Sequence, residues 1–424
     1  MKRIEVYIAE GEANRRLGTL EYDELRGKEV SSFTLDEDYV LHPSVSFLGP
    51  DIGLFRGKQY PTLSYGFGIF QDASPDSWGR KIIRRREKRG NLRESDYLLG
   101  VFDLTRIGAF RFRLEGSESF VNADMHLSRS DQVGRMSEAN EPRSGRKSLR
   151  ENPAPPWTTL RTLEDSSRRF EEDDSDEAAL SVLLRPGTSL GGARPKASVT
   201  APDGSLWIAK FPSKEDDFDT GAWEYLVHIL ASDAGLRVPE AQAQKFSKTG
   251  TTFLCRRFDR DGARRIPFAS AMAMLGCEDR QEENNGTYLD IAGFLMQHGA
   301  KPDDDLPELW RRMAFSLLVS NTDDHLRNHG FVAENGRWRL SPAYDLNANA
   351  KRPQSLSLEL DAGVPIESID TLLSAAEYFR LGRSEAEGNL SRIRSAAAKW
   401  RDVAVRLGIP RREQEEMAVC FTRV

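Results

Sequence analysis

The sequence predicts an α+β protein of two lobes, with a β-rich amino-terminal subdomain and an all-helical carboxy-terminal lobe. Three observations lead there. Short runs between Ile4 and Phe112 have the apolar patterning of strands, starting with Ile4 to Ala9 and Leu17 to Tyr22. A glycine-rich stretch beginning at Gly187 is followed by two short strands and then by an amphipathic helix from Ala222 to Leu236. From Leu289 to Ser320, and over most of the chain after Ala362, the apolar spacing is helical.

Composition narrows the class. With 424 residues and 39% hydrophobic content the chain can bury two or three domain cores. A formal charge of −6 excludes a protein that coats nucleic acid over its whole surface, while leaving room for a local basic patch. Cys255, Cys277 and Cys420 lie far apart with no C-x-x-C pairing, which fits a reducing cytosol better than a disulfide framework or a zinc knuckle. Met1 to Ile8 reads as a strand, and no segment approaches ~20 uninterrupted apolar residues. The expectation is a cytoplasmic protein, neither exported by a signal peptide nor membrane-spanning.

Residues 1–114 read as the amino-terminal subdomain. Further strands are expected around Ser32 to Leu41, followed by a helix from Asp76 to Arg89 announced by Ser74-Pro75-Asp76. Between Arg80 and Arg93 there are eight basic residues against one acidic, either a surface for a phosphate backbone or acidic partner, or simply a solvated helix face. Residues 115–156 are rich in Ser, Asn, Arg, Glu and Pro and read as a flexible polar linker or insertion, well beyond the ~15 structureless residues usual in a compact domain. Helical pattern resumes from Thr158 to Phe170 and from Asp176 to Leu184, inside a unit taken as 157–275, with 276–424 as the helical lobe.

Gly187, Gly191 and Gly192 allow backbone amides to point at phosphate oxygens, although a plain connecting turn would use the same residues. Lys210 ends the second strand after this loop, where a kinase places the lysine that holds nucleotide phosphates; a solvent-facing lysine looks the same in isolation. Glu224, on the first turn of the following helix, either pairs with Lys210 or complements the helix dipole. The segment from Arg264 to Met274 should hold the hinge. Asp323 and Asn328 then form D-x-x-x-x-N, the spacing with which a kinase offers a carboxylate to a hydroxyl and an amide oxygen to a metal ion. A hairpin over Phe331 to Ala333, Asn335-Gly336 and Trp338 to Leu340 would return Asp345 beside Asn328. His325 and His329 lack a third ligand at suitable spacing, so His325 is expected to brace the loop and His329 to be structural.

Taken together, residues 188–196 (Thr-Ser-Leu-Gly-Gly-Ala-Arg-Pro-Lys), Trp207 to Phe211, Arg257-Phe258-Asp259-Arg260, Asn321 to Asn328 and Leu340 to Leu346 resemble the HipA family of bacterial serine/threonine kinases, toxins of HipBA-type toxin–antitoxin pairs. The resemblance covers nearly all of the chain. It implies a two-lobe, phosphatidylinositol-kinase-like fold that uses ATP and Mg2+, with Asp323 as catalytic base and Asn328 and Asp345 as metal ligands. The nucleotide set that goes with it is Ser189, Leu190, Gly191, Gly192, Ala193, Lys196, Lys210, Phe268, Ala269, Ser270, His325, Tyr344 and Asp345, with Glu224 orienting Lys210. It further implies autophosphorylation of Ser189, a helix-turn-helix antitoxin similar to HipB as partner, contact with DNA only through that antitoxin, and an aminoacyl-tRNA synthetase as protein substrate. Two departures stand out: the 115–156 insertion is long and polar, and Pro267 to Ala271 lacks acidic residues, which leaves adenine recognition to main-chain groups. Two other readings fit the same residues, a kinase of a small molecule or lipid, and a kinase-fold co-repressor acting mainly through a DNA-binding antitoxin.

Overall fold

The computed structural model describes residues 1–88, 90–121, 154–189, 192–278, 286–351 and 355–424. The amino-terminal subdomain comprises β1 (Lys2–Glu10), β2 (Ala13–Leu25), β3 (Lys28–Leu35), α1 (Glu37–Leu41), β4 (Lys58–Gln59), α2 (Gly68–Gln71), α3 (Ser77–Glu87), α4 (Glu94–Gly100) and β5 (Phe110–Leu114). Its antiparallel sheet has the order β4-β3-β2-β1-β5, so the last strand returns beside the first. Ile4, Val6 and Ile8 alternate inward along β1, and Phe110 and Phe112 join them from β5. The expected strand from Ser32 to Leu41 stops at Leu35, because Asp36 caps α1 by accepting from the amide of Asp38.

The next unit holds α5 (Leu160–Glu172), α6 (Glu177–Leu183), β6 (Lys196–Thr200), β7 (Leu206–Lys210), α7 (Thr220–Asp233), β8 (Ala241–Gln244) and β9 (Thr252–Arg256). Its sheet runs β6-β7-β9-β8, all antiparallel. After the short β10 (Arg260–Asp261) and β11 (Arg264–Arg265), β12 (Phe268–Ser270) leads into the last lobe: α8 (Ala271–Leu275), α9 (Tyr288–His298), α10 (Pro302–Leu318), β13 (Gly330–Glu334), β14 (Arg337–Leu340), α11 (Ile369–Ala375), α12 (Arg383–Ala397), α13 (Trp400–Arg406) and α14 (Arg411–Met417). This lobe is helical around one small sheet rather than all-helical. Asn335 and Gly336 both take positive φ, the conformation of a two-residue hairpin turn, and β12 adds to the resulting β13–β14 pair.

Two large apolar cores run through these units, with a small third of Ile83, Tyr97 and Val101. Trp78 and Ile82 of α3 pack with Leu163 and Phe170 of α5, Leu183 of α6 and the inner faces of β6, β7 and β9. The larger core joins the amino-terminal sheet to α7 and to the helices of the last lobe. Between the cores lies a buried ionic clamp built on the Arg257-Phe258-Asp259-Arg260 motif. Arg257 donates to the carbonyl oxygens of Thr105 and Arg106, Arg260 to those of Arg106 and Gly108, and Asp259 accepts the Gly108 amide at 2.7 Å. Asp259 sits well below the usual carboxylate range: burial opposes its ionisation, but Arg257 and Arg260 outweigh that.

The basic helix proves to be mostly neutralised. Arg80 makes a bidentate pair with Glu94, Lys88 pairs with Glu177, Arg93 with Glu24, and Lys81 lies over the Phe170 ring. The carboxylates come from distant parts of the chain, which is why a local charge count overstates the free positive charge. Of the 115–156 stretch, residues 122–153 lie outside the described residues; Pro155 at its end accepts the Thr200 amide and runs beside β6.

Candidate active site

Lys210 stands at the centre. β7 and β9 are in register so that Lys210 faces Phe253, and α7 starts beside the same strand. Asp219 caps α7 by accepting from the Ala222 amide while also holding Thr251 through its amide and hydroxyl. A side chain at Gly221 would lie 1.9 Å from the Thr251 carbonyl oxygen, so only glycine lets the helix start this close to the strand. That placement aims Glu224 at Lys210: Nζ lies 2.5 Å from Glu224 Oε1 and 2.5 Å from Asp345 Oδ1. The geometry selects the lysine-pairing role over the helix-dipole role for Glu224.

Asp345 arrives from the other lobe in a left-handed conformation, φ 56°, which aspartate tolerates better than most residues. Lys210, then Lys196, hold its carboxyl below the usual range against the cost of burial. Lys210 is driven above its ordinary value, since Asp345 and Glu224 outweigh desolvation. Glu224, 5% exposed, is pushed up by burial and by Asp345 despite Lys210. One cation thus serves two carboxylates, and the open side of the group is Asp345, 40% exposed.

The Asp323–Asn328 loop follows α10. Asn321 anchors it, accepting the Asn347 amide and donating to Ser316 Oγ, and Ser357 donates to the Thr322 carbonyl. Of the two adjacent aspartates, Asp323 is exposed while Asp324 is buried, held by the Tyr288 hydroxyl and by His329 Nε2 at 2.8 Å. Asn328 donates its amide nitrogen to the Asp323 carbonyl at 2.9 Å. The Tyr344 hydroxyl donates to the Arg327 carbonyl at 2.7 Å, tying this loop to the residue before Asp345. His325 is exposed at the start of the short 3-10 turn Leu326–Asn328 and adds to the positive surroundings of Asp345. The sequence pointed to Asp323 and Asn328 but gave no role to Asp324 or Tyr288; a D-D pair carries no mark of which member turns inward.

In the glycine-rich loop, Leu190 and Gly191 lie outside the described residues. Ser189 is buried, and its hydroxyl has no hydrogen-bond partner among the described residues. Ala193 is exposed. Gly192, φ 87°, donates its amide to Asp76 Oδ2 at 2.7 Å. Lys196 pairs across the strands with Lys210 and brings its ammonium under Gly192; burial, then the neighbouring Lys210, pushes it down to about 8.

At the hinge, Phe268 packs against Phe258 and Tyr344, with ring centroids 5.9 and 6.3 Å away. Ala269 is fully buried on β12. Ser270, expected to face ATP, is turned elsewhere: its amide and hydroxyl donate to the two oxygens of Asp72 at 2.6 and 2.8 Å, and its Oγ caps α8. The acid missing from the local hinge sequence is supplied by Asp72 from the amino-terminal subdomain, its carboxyl pushed up to about 6 by burial.

Among the described residues no group of three or more His, Cys, Asp or Glu side chains could hold a metal ion. Asn328 and Asp345 offer hard oxygen donors of the kind magnesium accepts, and two protein ligands are what a magnesium ion carried on nucleotide phosphates requires. The amide nitrogen of Asn328 is committed to the Asp323 carbonyl, so a metal ion would have to meet its oxygen.

No helix of the described residues is long and apolar enough to cross a membrane. The chain is similar to a Haemophilus influenzae protein named "Putative kinase", 26% identical over 188 residues, which are 40% of this chain and 54% of that one. A Sinorhizobium fredii protein of similar name is 28% identical over 155 residues, 34% of this chain and 37% of that one. The chain therefore spans about half or less of the curated relatives it matches. In fold it matches HipA of Shewanella oneidensis, solved as a toxin–antitoxin complex with HipB and operator DNA, at a TM-score of 0.65 and 17% identity over 99% of this chain and 95% of that one. The HipA-like C-terminal domain model matches residues 188–404, a stretch that begins at the glycine-rich loop and encloses Lys210, Glu224, Asp323, Asn328 and Asp345, and with more than half of its length so matched the chain belongs to the HipA family.

Proposed function

We propose that this protein is an ATP- and magnesium-dependent serine/threonine protein kinase, the toxin of a toxin–antitoxin pair. The observation that carries this reading is Lys210 fixed between Glu224 on one lobe and Asp345 on the other, with an exposed Asp323 on the loop that Tyr344 ties to the Asp345 segment. Lys210 and Lys196 together supply the positive charge that triphosphate oxygens need at the cleft floor. Asp323 is free to accept the proton-bearing hydroxyl of a substrate, while Asp324, locked on His329 and Tyr288, fixes the backbone that presents it. Magnesium, when bound, draws charge off the phosphates, and Asn328 and Asp345 would hold it.

Ser189 is the candidate self-modification site. Phosphorylation would set negative charge beside the groups that receive the nucleotide and would switch the enzyme off. The fold shared with Shewanella HipA supports a HipB-like helix-turn-helix antitoxin as partner, with DNA reached through it. The neutralised face of α3 favours this over direct DNA binding. The family resemblance supports an aminoacyl-tRNA synthetase as substrate and a cytoplasmic site of action.

The test is incubation of the purified chain with γ-labelled ATP and bacterial extract, with intact mass measured before and after. Label in an extract protein and a gain of one phosphate on the chain that Ser189→Ala abolishes are expected, and Asp323→Asn should end both. Label confined to small molecules or lipid would replace the protein-kinase reading with its alternative.

A further inference from the structure

The proposed kinase reading uses residues from 188 onward, yet the glycine-rich loop is gripped from outside that region. At the start of α3, Asp76 is the N-cap residue and its Oδ1 accepts the Ser77 amide at 2.7 Å. Its other oxygen does something a cap does not require. Asp76 Oδ2 accepts the Gly192 amide at 2.7 Å and lies 3.6 Å from the guanidinium of Arg327, in the loop between Asp323 and Asn328.

The same residue is held at its carbonyl as well. The Trp78 amide donates to the Gly192 carbonyl at 3.2 Å, and the Trp78 indole donates to the Lys196 carbonyl at 3.0 Å. Trp78 is itself buried in the core with Phe170 and Leu183, so the grip rests on a rigid base. Between residues 192 and 196, α3 and its cap hold the backbone of the loop at three points, and the Phe211 amide takes the Pro195 carbonyl besides.

Resting on the kinase reading, we propose that Asp76 is a positioning residue of the nucleotide site. One carboxylate oxygen clamps the glycine-rich loop to the catalytic loop, so the amino-terminal subdomain sets the height of Gly192 and Lys196 over the phosphates. Asp76 touches neither nucleotide nor substrate in this account and acts through Gly192 and Arg327. Burial raises the cost of its charge, but the Gly192 and Ser77 amides and Arg327 more than offset that and keep it ionised.

The decisive variant is Asp76→Asn, because asparagine caps helices as well as aspartate but has one acceptor oxygen instead of two. The exchange rate of the Gly192 amide, followed by NMR on protein labelled with nitrogen-15 glycine, is expected to rise about tenfold or more, the loss of a hydrogen bond to a charged acceptor. KM for ATP should rise about tenfold, kcat should stay within about threefold, and the melting temperature should hold. Asp76→Ser, another good cap too short to reach the loop, should behave the same way. Combining Asp76→Asn with Arg327→Gln should raise KM by less than the product of the single effects.

Unchanged exchange at Gly192 in Asp76→Asn overturns the clamp. So does a change confined to the melting temperature, which would leave Asp76 as a cap only, and fully multiplicative effects would cut the link to Arg327. The exchange measurement needs no activity. A wild-type chain that binds no ATP would therefore refute the kinase reading while the Gly192 amide still decides the clamp.

Discussion

Lys210→Met and Glu224→Gln should affect stability unequally, and the difference follows from charge count. The buried group holds one ammonium against two carboxylates, Glu224 and Asp345, each 2.5 Å away. Glu224→Gln leaves Lys210 paired with Asp345 and replaces an ion pair by a bond from the ammonium to a neutral amide oxygen, a loss of about 1 kcal/mol. Lys210→Met leaves two carboxylates facing each other without the ammonium bonded to both, and only Lys196 nearby to offset them. Removing one member of a buried pair costs ~3–5 kcal/mol, reduced here to ~2–3 because Asp345 is 40% exposed and water can reach it. The gap of ~1–2 kcal/mol corresponds to a melting temperature ~2–4 °C lower for Lys210→Met, using ~2 °C per kcal/mol for a large domain. The sign of the pH dependence is fixed as well. A carboxyl whose folded pKa lies above its unfolded value binds more protons in the folded state, so its penalty grows as pH rises. Glu224 is already pushed up and will be pushed further without Lys210. The deficit of Lys210→Met should thus be larger at about pH 8 than at about pH 5, and the double variant Lys210→Met/Glu224→Gln should recover most of it. Calorimetric melts of the four proteins at both pH values decide this. Equal melting of the two single variants at both pH values would refute a shared buried lysine.

The two adjacent aspartates should separate function from stability: Asp323→Asn abolishes phosphoryl transfer with stability within ~0.5 kcal/mol, whereas Asp324→Asn costs ~1–3 kcal/mol by unmaking its bonds to His329 and Tyr288, both readable from urea melts. ATP affinity should fall as pH rises through about 8, because Lys196 loses its proton in the free protein but is charged opposite phosphate; calorimetric titration across that range checks it, and Lys196→Arg should flatten the dependence. Asp259→Ala should cost ~3–5 kcal/mol by leaving Arg257 and Arg260 buried without their carboxylate, and should expose the junction near Gly108 to limited proteolysis.

Which parts of this were legible in the sequence depends on the range of the interaction involved. The hairpin at Asn335-Gly336 is set by two residues whose backbone preference is local, and it forms over β13 and β14; beyond it the Tyr344 hydroxyl meets the Arg327 carbonyl of the loop. Lys210 and Glu224 were identified by their order along the chain, but their bond depends on α7 resting against β9 at Gly221 and Thr251, a close approach that no local pattern reveals. The basic run from Arg80 to Arg93 leaves two readings open for the same reason. Its partners Glu24, Glu94 and Glu177 are supplied by folding, and a run of charge cannot show which distant carboxylates will meet it.

The connection from α2 to α3 carries this point furthest. Asp72 and Asp76 stand four residues apart, in a stretch that reads only as a helix start, yet one takes the hinge residue Ser270 and the other takes Gly192 and Arg327. A short turn thereby reaches the hinge, the phosphate loop and the catalytic loop, which are separated from one another by more of the chain than any periodicity spans. Physical chemistry favours such an arrangement, because loops carrying catalytic groups gain precision only when something rigid restrains them, and α3 is anchored in its own core by Trp78 and Ile82. The region matched by the family model holds the groups proposed to react, while restraints on three of its segments come from residues before position 110, together with the clamp of Arg257, Asp259 and Arg260 on Thr105 to Gly108. A protein trimmed to residues 188–404 would keep every group proposed to touch nucleotide and lose what holds them in register, so its deficit should lie in nucleotide affinity before it lies in chemistry.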